Sequence, residues 1–245
     1  MSNICFVHAH PDDETLATGA LIGHLVADGH SIHVLTATRG EMGEVIPGPL
    51  SYLAGTPELE AKRGEELAGA LGVLGVQAHA YLGTPPARAN SKEPRRYLDS
   101  GMVWVAEGIA GPTPDSDERS LCAADESEVV ADIKAWLTNA AADLVISYDD
   151  DGGYGHPDHV RCHHAAKAAA RELGLDFAVI VHESGAGVTW FDLEELEPLV
   201  VSALQHHQTQ LSVSDGVVTH SGGQREPVRT SVGLRGALRA ITGSR

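Results

Sequence analysis

The sequence predicts an α/β protein, an open Rossmann-like, mostly parallel sheet with helices on both faces. Three observations predict it. Short apolar runs alternate with segments whose apolar residues recur at helical spacing, the order that builds βαβ units. The length, 245 residues, suits one such unit without forcing a second. Polar segments rich in His and Asp follow the first and fourth strands directly, where ligands bind in open α/β sheets.

Each element has its own signal. Residues 4–8 are an apolar strand, and a helix follows from 15 to about 27 with Leu16, Ala20, Leu21, His24 and Leu25 in register. Asp28-Gly29 ends it, and SIHVLT (31–36) is the second strand. Residues 38–56 are a Gly- and Pro-rich loop. Thr56 as N-cap and Pro57 at the first helical position start a helix to about 74, with Leu67, Ala70, Leu71 and Leu74 inward. Residues 78–82 are the third strand. The long polar stretch 83–125 is expected to be functional or mobile. A helix over 127–142 leads to the fourth strand, DLVISY (143–148), then to the acidic Gly-rich loop 149–154. A helix over 157–173, a strand at 177–181 and a helix over 193–211 follow. The tail after Ser212 offers a hairpin at Asp215-Gly216 and is otherwise weakly patterned. One domain over 1–245 is expected, with a sheet core at about 3–183 and a C-terminal helix and tail at about 193–245.

Composition bounds the function. Apolar residues at 42% and charged residues at 21% fit a soluble globular protein. The formal charge of −17, from 17 basic and 34 acidic residues, sets aside nucleic acid and anionic membrane as main partners. Cys5, Cys122 and Cys162 form no CxxC, so no disulfide scaffold is expected and a reducing cytoplasm fits. The start, MSNICFVHAH, does not read as a signal peptide, and no apolar run reaches membrane-spanning length.

The chemistry starts at AHPDDE (9–14). Three carboxylates and a histidine follow a buried strand at once, and such acids repel one another unless something positive sits among them. His10 and Asp13 are three apart around Pro11 and can face one cation. The loop DDDGGYGHPDH (149–159) offers His156 and His159, again three apart, with Asp158 between. His and Asp are zinc ligands, and three protein ligands with one open position make a catalytic site. Either pair alone is a common surface turn; two pairs on one sheet rim are not. His159 and His163 also have a zinc spacing, although His163 and His164 read as helix-surface residues. Asp149 and Asp151 suggest a calcium loop, but Val160 stands where the bidentate Glu is required. His10 and Pro11 replace the glycines of a dinucleotide fingerprint, and no G-x-S-x-G elbow is present.

AHPDDE together with GGYGHPDH resembles the PIG-L/LmbE-like zinc-dependent N-deacetylases, and within them the mycothiol-pathway N-acetylglucosaminyl-inositol deacetylase and mycothiol S-conjugate amidase. Residues 39–46, 99–102 and 203–210 add to the likeness, which runs from 3 to about 183 and resumes near 200. The resemblance implies that His10, Asp13 and His159 bind zinc, with Fe²⁺ suited to the same donors. It implies that Asp12 is the general base toward zinc-bound water. It implies that His156, as an imidazolium oriented by Asp158, stabilises the oxyanion. Tyr154 would swing on its glycines and donate to the intermediate. Arg63, Asp99, Glu44 and His207 match substrate-holding positions. Each also has a plainer reading: an ion pair with Glu60 for Arg63, a turn for Asp99, a loop acid for Glu44, a surface residue for His207. Glu14 either orients a ligand or caps the helix. The chain is shorter than the mycothiol-pathway enzymes after Glu183, and 85–96 differs from theirs. The function implied is zinc-dependent removal of an N-acetyl group from an amino-sugar-type small molecule. The alternatives are an amidase of thiol S-conjugates or an antibiotic-like glycoside, and a non-catalytic metal- or sugar-binding protein. Homo-oligomerisation is left open.

Overall fold

The computed structural model describes residues 1–106, 109–114 and 116–242. Positions 107, 108 and 115 of the long stretch 83–125, and the last three residues of the tail, lie outside the described residues.

β1 (Asn3–His8) runs through the middle of the sheet, and α1 (Asp13–Ala27) returns the chain to β2 (Ser31–Thr36). The two strands pair in parallel from Asn3↔Ser31 to His8↔Thr36. α2 (Glu58–Leu74) and β3 (Ala78–Tyr81) repeat the unit. β4 (Val103–Ala106) and β5 (Ile109–Gly111) form a separate antiparallel pair. α3 (Glu126–Asn139) leads to β6 (Leu144–Ser147). The single turn α4 (Gly152–Gly155) and α5 (Pro157–Leu173) lead to β7 (Asp176–Val181). The rest comprises β8 (Val188–Asp192), α6 (Glu197–Leu204), β9 (Leu211–Ser214), β10 (Val217–His220), β11 (Arg225–Pro227), β12 (Ser231–Gly236) and α7 (Arg239–Thr242).

The main sheet has seven strands in the order β3-β2-β1-β6-β7-β12-β8. Its first five are parallel; β12 is antiparallel to both β7 and β8. Alternate residues of the central strands bury on opposite faces. Cys5, Val7 and Val145 pack with α3 and α5, while Ile4, Phe6 and Ile146 pack with α1, α2 and α6. This two-sided burial is why these strands read as continuous apolar runs. Strand order reverses between β1 and β6. The crevice beyond their carboxyl ends is the topological switch point where such sheets bind ligands. It brings residues 9–14 and 148–159 together. Among the described residues, no helix is long and apolar enough to cross a membrane.

Several expectations change. Within the stretch 83–125, residues 88–97 are pinned, because the buried Asp132 carboxylate accepts from Arg88 Nη1 (2.8 Å), the Ala89 N–H (2.7 Å) and the Tyr97 hydroxyl (2.8 Å), while Asp99, Gly101, Met102 and Trp104 line the cavity at the switch point. Pro57, not Thr56, holds the cap position of α2, and Thr56 Oγ1 donates to the Leu53 carbonyl instead. The helix expected over 193–211 is α-helical only at Glu197–Leu204, where Pro198 occupies the first turn. Asp215-Gly216, at φ 53° and 71°, does turn β9 into β10. The tail beyond it is not loose, because β12 joins the main sheet with Val232 and Leu234 buried. The three-stranded sheet β11-β10-β9 packs on α1 and α6 through Val218, Leu211, Ala20 and Val200.

Candidate active site

The turn after β1 is strained and well tied. Asp12 caps α1 at φ 119°, a conformation L-residues rarely adopt outside functional sites. The His10 N–H donates to Asp13 Oδ2 at 2.8 Å, and the Asp12 N–H donates to Glu14 Oε2 at 3.1 Å. The Tyr148 hydroxyl, at the end of β6, donates to Asp13 Oδ2 at 2.7 Å and accepts the Ala9 N–H at 2.8 Å.

The second loop supplies the histidines. His156 caps α5: its Nδ1 accepts the Asp158 N–H at 3.2 Å, with Pro157 in the first turn. One turn on, His159 Nδ1 lies 3.1 Å from the Gly152 carbonyl. A carbonyl only accepts, so Nδ1 carries the proton and Nε2 presents a bare lone pair. That Nε2 is buried, has no hydrogen-bond partner among the described residues, and stands 3.4 Å from Asp13 Oδ2. Gly152 is required here, because at φ 67° an added Cβ would meet His159 Cβ at 2.8 Å. The His159 ring stacks on Tyr148, 4.1 Å between centroids.

His10 bridges the two loops. Its Nδ1 is 3.3 Å from Asp13 Oδ2, and its Nε2 is 3.3 Å from Asp158 Oδ2 and 3.6 Å from Asp99 Oδ1. Donor atoms of His10, His156 and His159 all fall within 4.8 Å of one another, as do those of His10, Asp99 and Asp158. Zinc bonds of about 2.0–2.2 Å imply tetrahedral edges of roughly 3.4 Å. The 3.3 and 3.4 Å separations of His10 Nδ1 and His159 Nε2 from Asp13 Oδ2 match such edges. With the orphaned His159 nitrogen, these two edges suit a small divalent cation, while Asp13 belongs to neither of the triads that close within 4.8 Å.

Electrostatics separates the roles. Burial first, and the Asp13 charge second, push the Asp12 carboxyl up to about 7. Among the described residues its carboxylate takes no hydrogen bond. Burial, then the rings of His10 and His159, push His156 down to about 3. Burial works to raise Asp99, but the His10 ring outweighs it and holds the carboxyl below the usual carboxylate range.

The sequence-predicted residues divide. His10, Asp12, Asp13, Arg63, Asp99, Glu44, Tyr154, His156 and His159 all line one cavity of about 790 Å³. Arg63 does not pair with Glu60. It donates to the carbonyls of Gly40, Gly43 and Glu44 and so fixes the cavity's loop wall. Tyr154 lines the mouth, its ring 5.3 Å from that of His159. Three expectations are corrected. Asp158 does not hold the His156 imidazole; its carboxylate accepts from the Ser100 N–H at 2.9 Å and the Ser100 hydroxyl, and faces His10. His156 Nδ1 instead accepts a backbone N–H, so a neutral ring carries its proton on Nε2, and burial works against the imidazolium. His207 is fully buried and off the cavity wall, 3.3 Å from Glu14 Oε1 and 3.2 Å from Thr15 Oγ1. Glu14 therefore ties the Asp12 N–H to His207 and touches no donor of the cluster. His163 is buried too, its Nδ1 2.7 Å from the Tyr148 carbonyl.

Sequence reasoning missed Tyr148 and Ser100. Tyr148 had a signal, its place at the carboxyl end of a strand; Ser100 had only its place in 99–102, beside Asp99. It also missed the far cavity wall, where His182, His220, Glu226 and Arg229 stand.

A family profile described as "PIG-L: GlcNAc-PI de-N-acetylase" matches residues 5–170. A 1D-myo-inositol 2-acetamido-2-deoxy-α-D-glucopyranoside deacetylase of Kineococcus radiotolerans is 43% identical over 187 residues, 76% of this chain and 49% of its own length. The chain spans about half the length of the curated relatives it matches. Among solved structures, a deacetylase–teicoplanin complex from teicoplanin biosynthesis gives a TM-score of 0.62 at 18% identity, over 97% of this chain and 100% of that one. A 4-carboxy-2-hydroxymuconate hydratase of Pseudomonas putida gives 0.57 at 14% identity, over 100% of both chains. A fold shared with a hydratase chooses no reaction by itself. The profile is more specific: it spans both His/Asp loops, and the chain belongs to the PIG-L family.

Proposed function

We propose that this chain is a metal-dependent N-deacetylase acting on the acetamide of an amino-sugar-type small molecule. One observation carries the reading: the bare, buried His159 Nε2 lies 3.4 Å from Asp13 Oδ2, in the cavity where the Asp12 carboxyl is raised to about 7. His10 through Nδ1, Asp13 through Oδ2 and His159 through Nε2 would hold the cation, Zn²⁺ by donor type, with Fe²⁺ suited to the same set. Each ligand has a partner behind it, as metal ligands need: Asp158 for His10, Tyr148 for Asp13, the Gly152 carbonyl for His159. A cation there supplies Lewis-acid chemistry, polarising the amide carbonyl and acidifying water.

The chain's own groups do the rest. The Asp12 carboxylate accepts no hydrogen bond among the described residues and its proton affinity is raised toward neutral pH, which suits a general base that later returns the proton to the departing amine. His156 stays neutral, and its Nε2–H donates toward the oxygen on which charge builds. Glu44 and Asp99 border the same space and are proposed to contact substrate, while Arg63 holds the loop that presents Glu44.

The test is release of free primary amine from a panel of N-acetylated amino sugars, including N-acetylglucosaminyl-inositol, by zinc-loaded protein. Turnover of at least one member is expected. Asp12→Asn should keep its metal and lose roughly 10²–10⁴-fold in rate. Silence across the panel at full zinc occupancy would overturn the reading and leave a site that binds without hydrolysing.

A further inference from the structure

A fully buried histidine that the proposed chemistry does not use stands behind Asp12. His207 lies in the turn between α6 and β9, outside the span 5–170 that the family profile matches. Its ring ends a chain of hydrogen bonds that starts at the Asp12 backbone. The Asp12 N–H donates to Glu14 Oε2 at 3.1 Å. The other oxygen of that carboxylate, Oε1, accepts from the Thr15 hydroxyl. Having given its proton to Glu14, Thr15 Oγ1 can only accept, so His207 Nε2, 3.2 Å away, donates to it. The same Nε2 stands 3.3 Å from Glu14 Oε1. Glu14, Thr15 and His207 are all fully buried, so bulk water cannot replace a partner that is lost. The segment carrying His207 is itself fixed. The Thr209 N–H and hydroxyl donate to Glu66 at 3.0 and 2.7 Å, and the Thr209 carbonyl accepts the Ile46 N–H at 2.8 Å.

Asp12 needs such a support. It stands at φ 119° and ψ −30°, a conformation that an L-residue keeps only where its surroundings over-determine it. Its carboxylate accepts no hydrogen bond among the described residues, so the backbone alone fixes it. The Asp12 carbonyl accepts the Thr15 and Leu16 N–H groups at 3.0 and 2.9 Å, bonds that an ordinary helix start also makes. The N–H is the distinguishing contact. With the carbonyl end held in the first turn of α1, the direction of the N–H sets the torsion about N–Cα. Glu14 Oε2 meets that N–H only while Oε1 is anchored, and its anchors are Thr15 and His207.

We infer that His207 is a positioning residue for the proposed base: through Thr15 and Glu14 it holds the Asp12 backbone in the conformation that places Asp12 on the cavity wall. The inference rests on the deacetylase reading for what Asp12 does there. It gives the C-terminal layer of this chain a part in the reaction although it supplies no proposed metal ligand.

The experiment reads kcat per bound zinc on full-length protein, with N-acetylglucosaminyl-inositol as substrate. His207→Leu should lower kcat roughly 10²-fold, the effect of a misplaced catalytic group, with KM and zinc content within about twofold of the parent. His207→Gln, whose amide can donate from the place of Nε2, should recover about tenfold of that loss. The deciding readout is a double-variant cycle with Asp12→Asn. If His207 acts through Asp12, adding His207→Leu to Asp12→Asn lowers kcat by no more than about twofold further. The full loss repeated in that background, or a kcat per bound zinc left unchanged by His207→Leu alone, overturns the positioning role and leaves deacetylation standing. Should His207→Leu not fold, Glu14→Gln carries the same cycle, because its amide sets a donor against those of Thr15 and His207; the same two results decide. If the parent hydrolyses no N-acetylated amino sugar, crystal structures of the parent and the variant decide instead. Asp12 at positive φ in the parent and released from it in the variant upholds the positioning without the deacetylase reading. Positive φ kept in the variant overturns it.

Discussion

Replacing Tyr148 by phenylalanine removes one oxygen atom and two buried hydrogen bonds. The hydroxyl donates to Asp13 Oδ2 at 2.7 Å and accepts the Ala9 N–H at 2.8 Å. The ring, 7% exposed, keeps its stack on His159, so packing changes little. Burial first, and the Asp13 charge second, hold the phenol well above its ordinary pKa, so it remains a donor throughout the working range. A hydrogen bond to a charged group contributes about 1.5–3 kcal/mol, and an orphaned buried amide costs about 1–3 kcal/mol. The two overlap, and about 3 kcal/mol is the expected loss. For a chain of this length 1 kcal/mol moves Tm by about 2–4 °C, so the metal-free variant should melt about 6–12 °C below the parent. Zinc affinity should fall by about 10–100-fold, because the hydroxyl stands behind a proposed ligand. Thermal melts of the metal-free protein and a competition titration with a chromophoric chelator read the two effects separately. A metal-free Tm within about 2 °C of the parent would show that the Ala9 amide is satisfied elsewhere and that the hydroxyl's double role is wrong.

Three further outcomes follow from the same structure. Tyr154, between glycines at φ 81° and 80° and lining the cavity, is expected to donate to the reacting oxygen; Tyr154→Phe should lower kcat by roughly 10²-fold, and an unchanged kcat removes the role. Asp132→Ala leaves the Tyr97 hydroxyl and the Ala89 amide without their acceptor and takes one of two carboxylates from Arg88, which keeps Glu128 at 2.8 Å. The cost should be about 3–5 kcal/mol by denaturant melt, and a loss under about 1 kcal/mol would mean that residues 88–97 are held by other contacts. His79 gives a pH dependence. Burial first, and Arg39 in lesser part, push it down to about 4, against 6.5 when free. The unfolded chain therefore takes its proton first as pH falls, so this stability is full above about 6.5 and is lost on acidification toward 4. At pH 5 the loss is about 2 kcal/mol, and His79→Asn should flatten the Tm slope between pH 7 and 5 accordingly; an unchanged slope assigns the acid sensitivity to other groups.

How far the fold was legible depended on where each strand buries its side chains. β1, β2 and β6 are covered on both faces, so their sequences are apolar throughout and bounded by turn residues. β8 is the edge strand of its sheet and largely exposed, so VTWFD shows no alternation. β12 carries Gly233 and Gly236 within six residues, and its partner β7 lies some fifty positions earlier in the chain. Nothing local marks such a strand. The helix expected to run to Leu211 fails for the opposite reason. Leu204 and Leu211 keep helical spacing, yet the chain turns after Gln205 and spends Leu211 on a different layer.

In the site, residue types were legible and partners were not. Asp158 stands two positions after His156, which suggests that one orients the other. In the first turn of a helix, however, side chains at i and i+2 diverge. His156, as the cap, turns its Nδ1 to the backbone, while Asp158 crosses to Ser100 and His10. The same divergence explains AHPDDE. Asp13 faces His10, His159 and Tyr148; Glu14 faces His207; the carboxylate of Asp12, strained at the cap, is left without a hydrogen-bond partner among the described residues. Three adjacent acids can be close in sequence because the start of α1 splays them toward three different partners. The helix's N-terminal dipole favours negative charge at that place. Of these three acids, the one whose carboxylate accepts nothing among the described residues is the one whose proton affinity burial raises, which is why the proposed base is Asp12 rather than either neighbour.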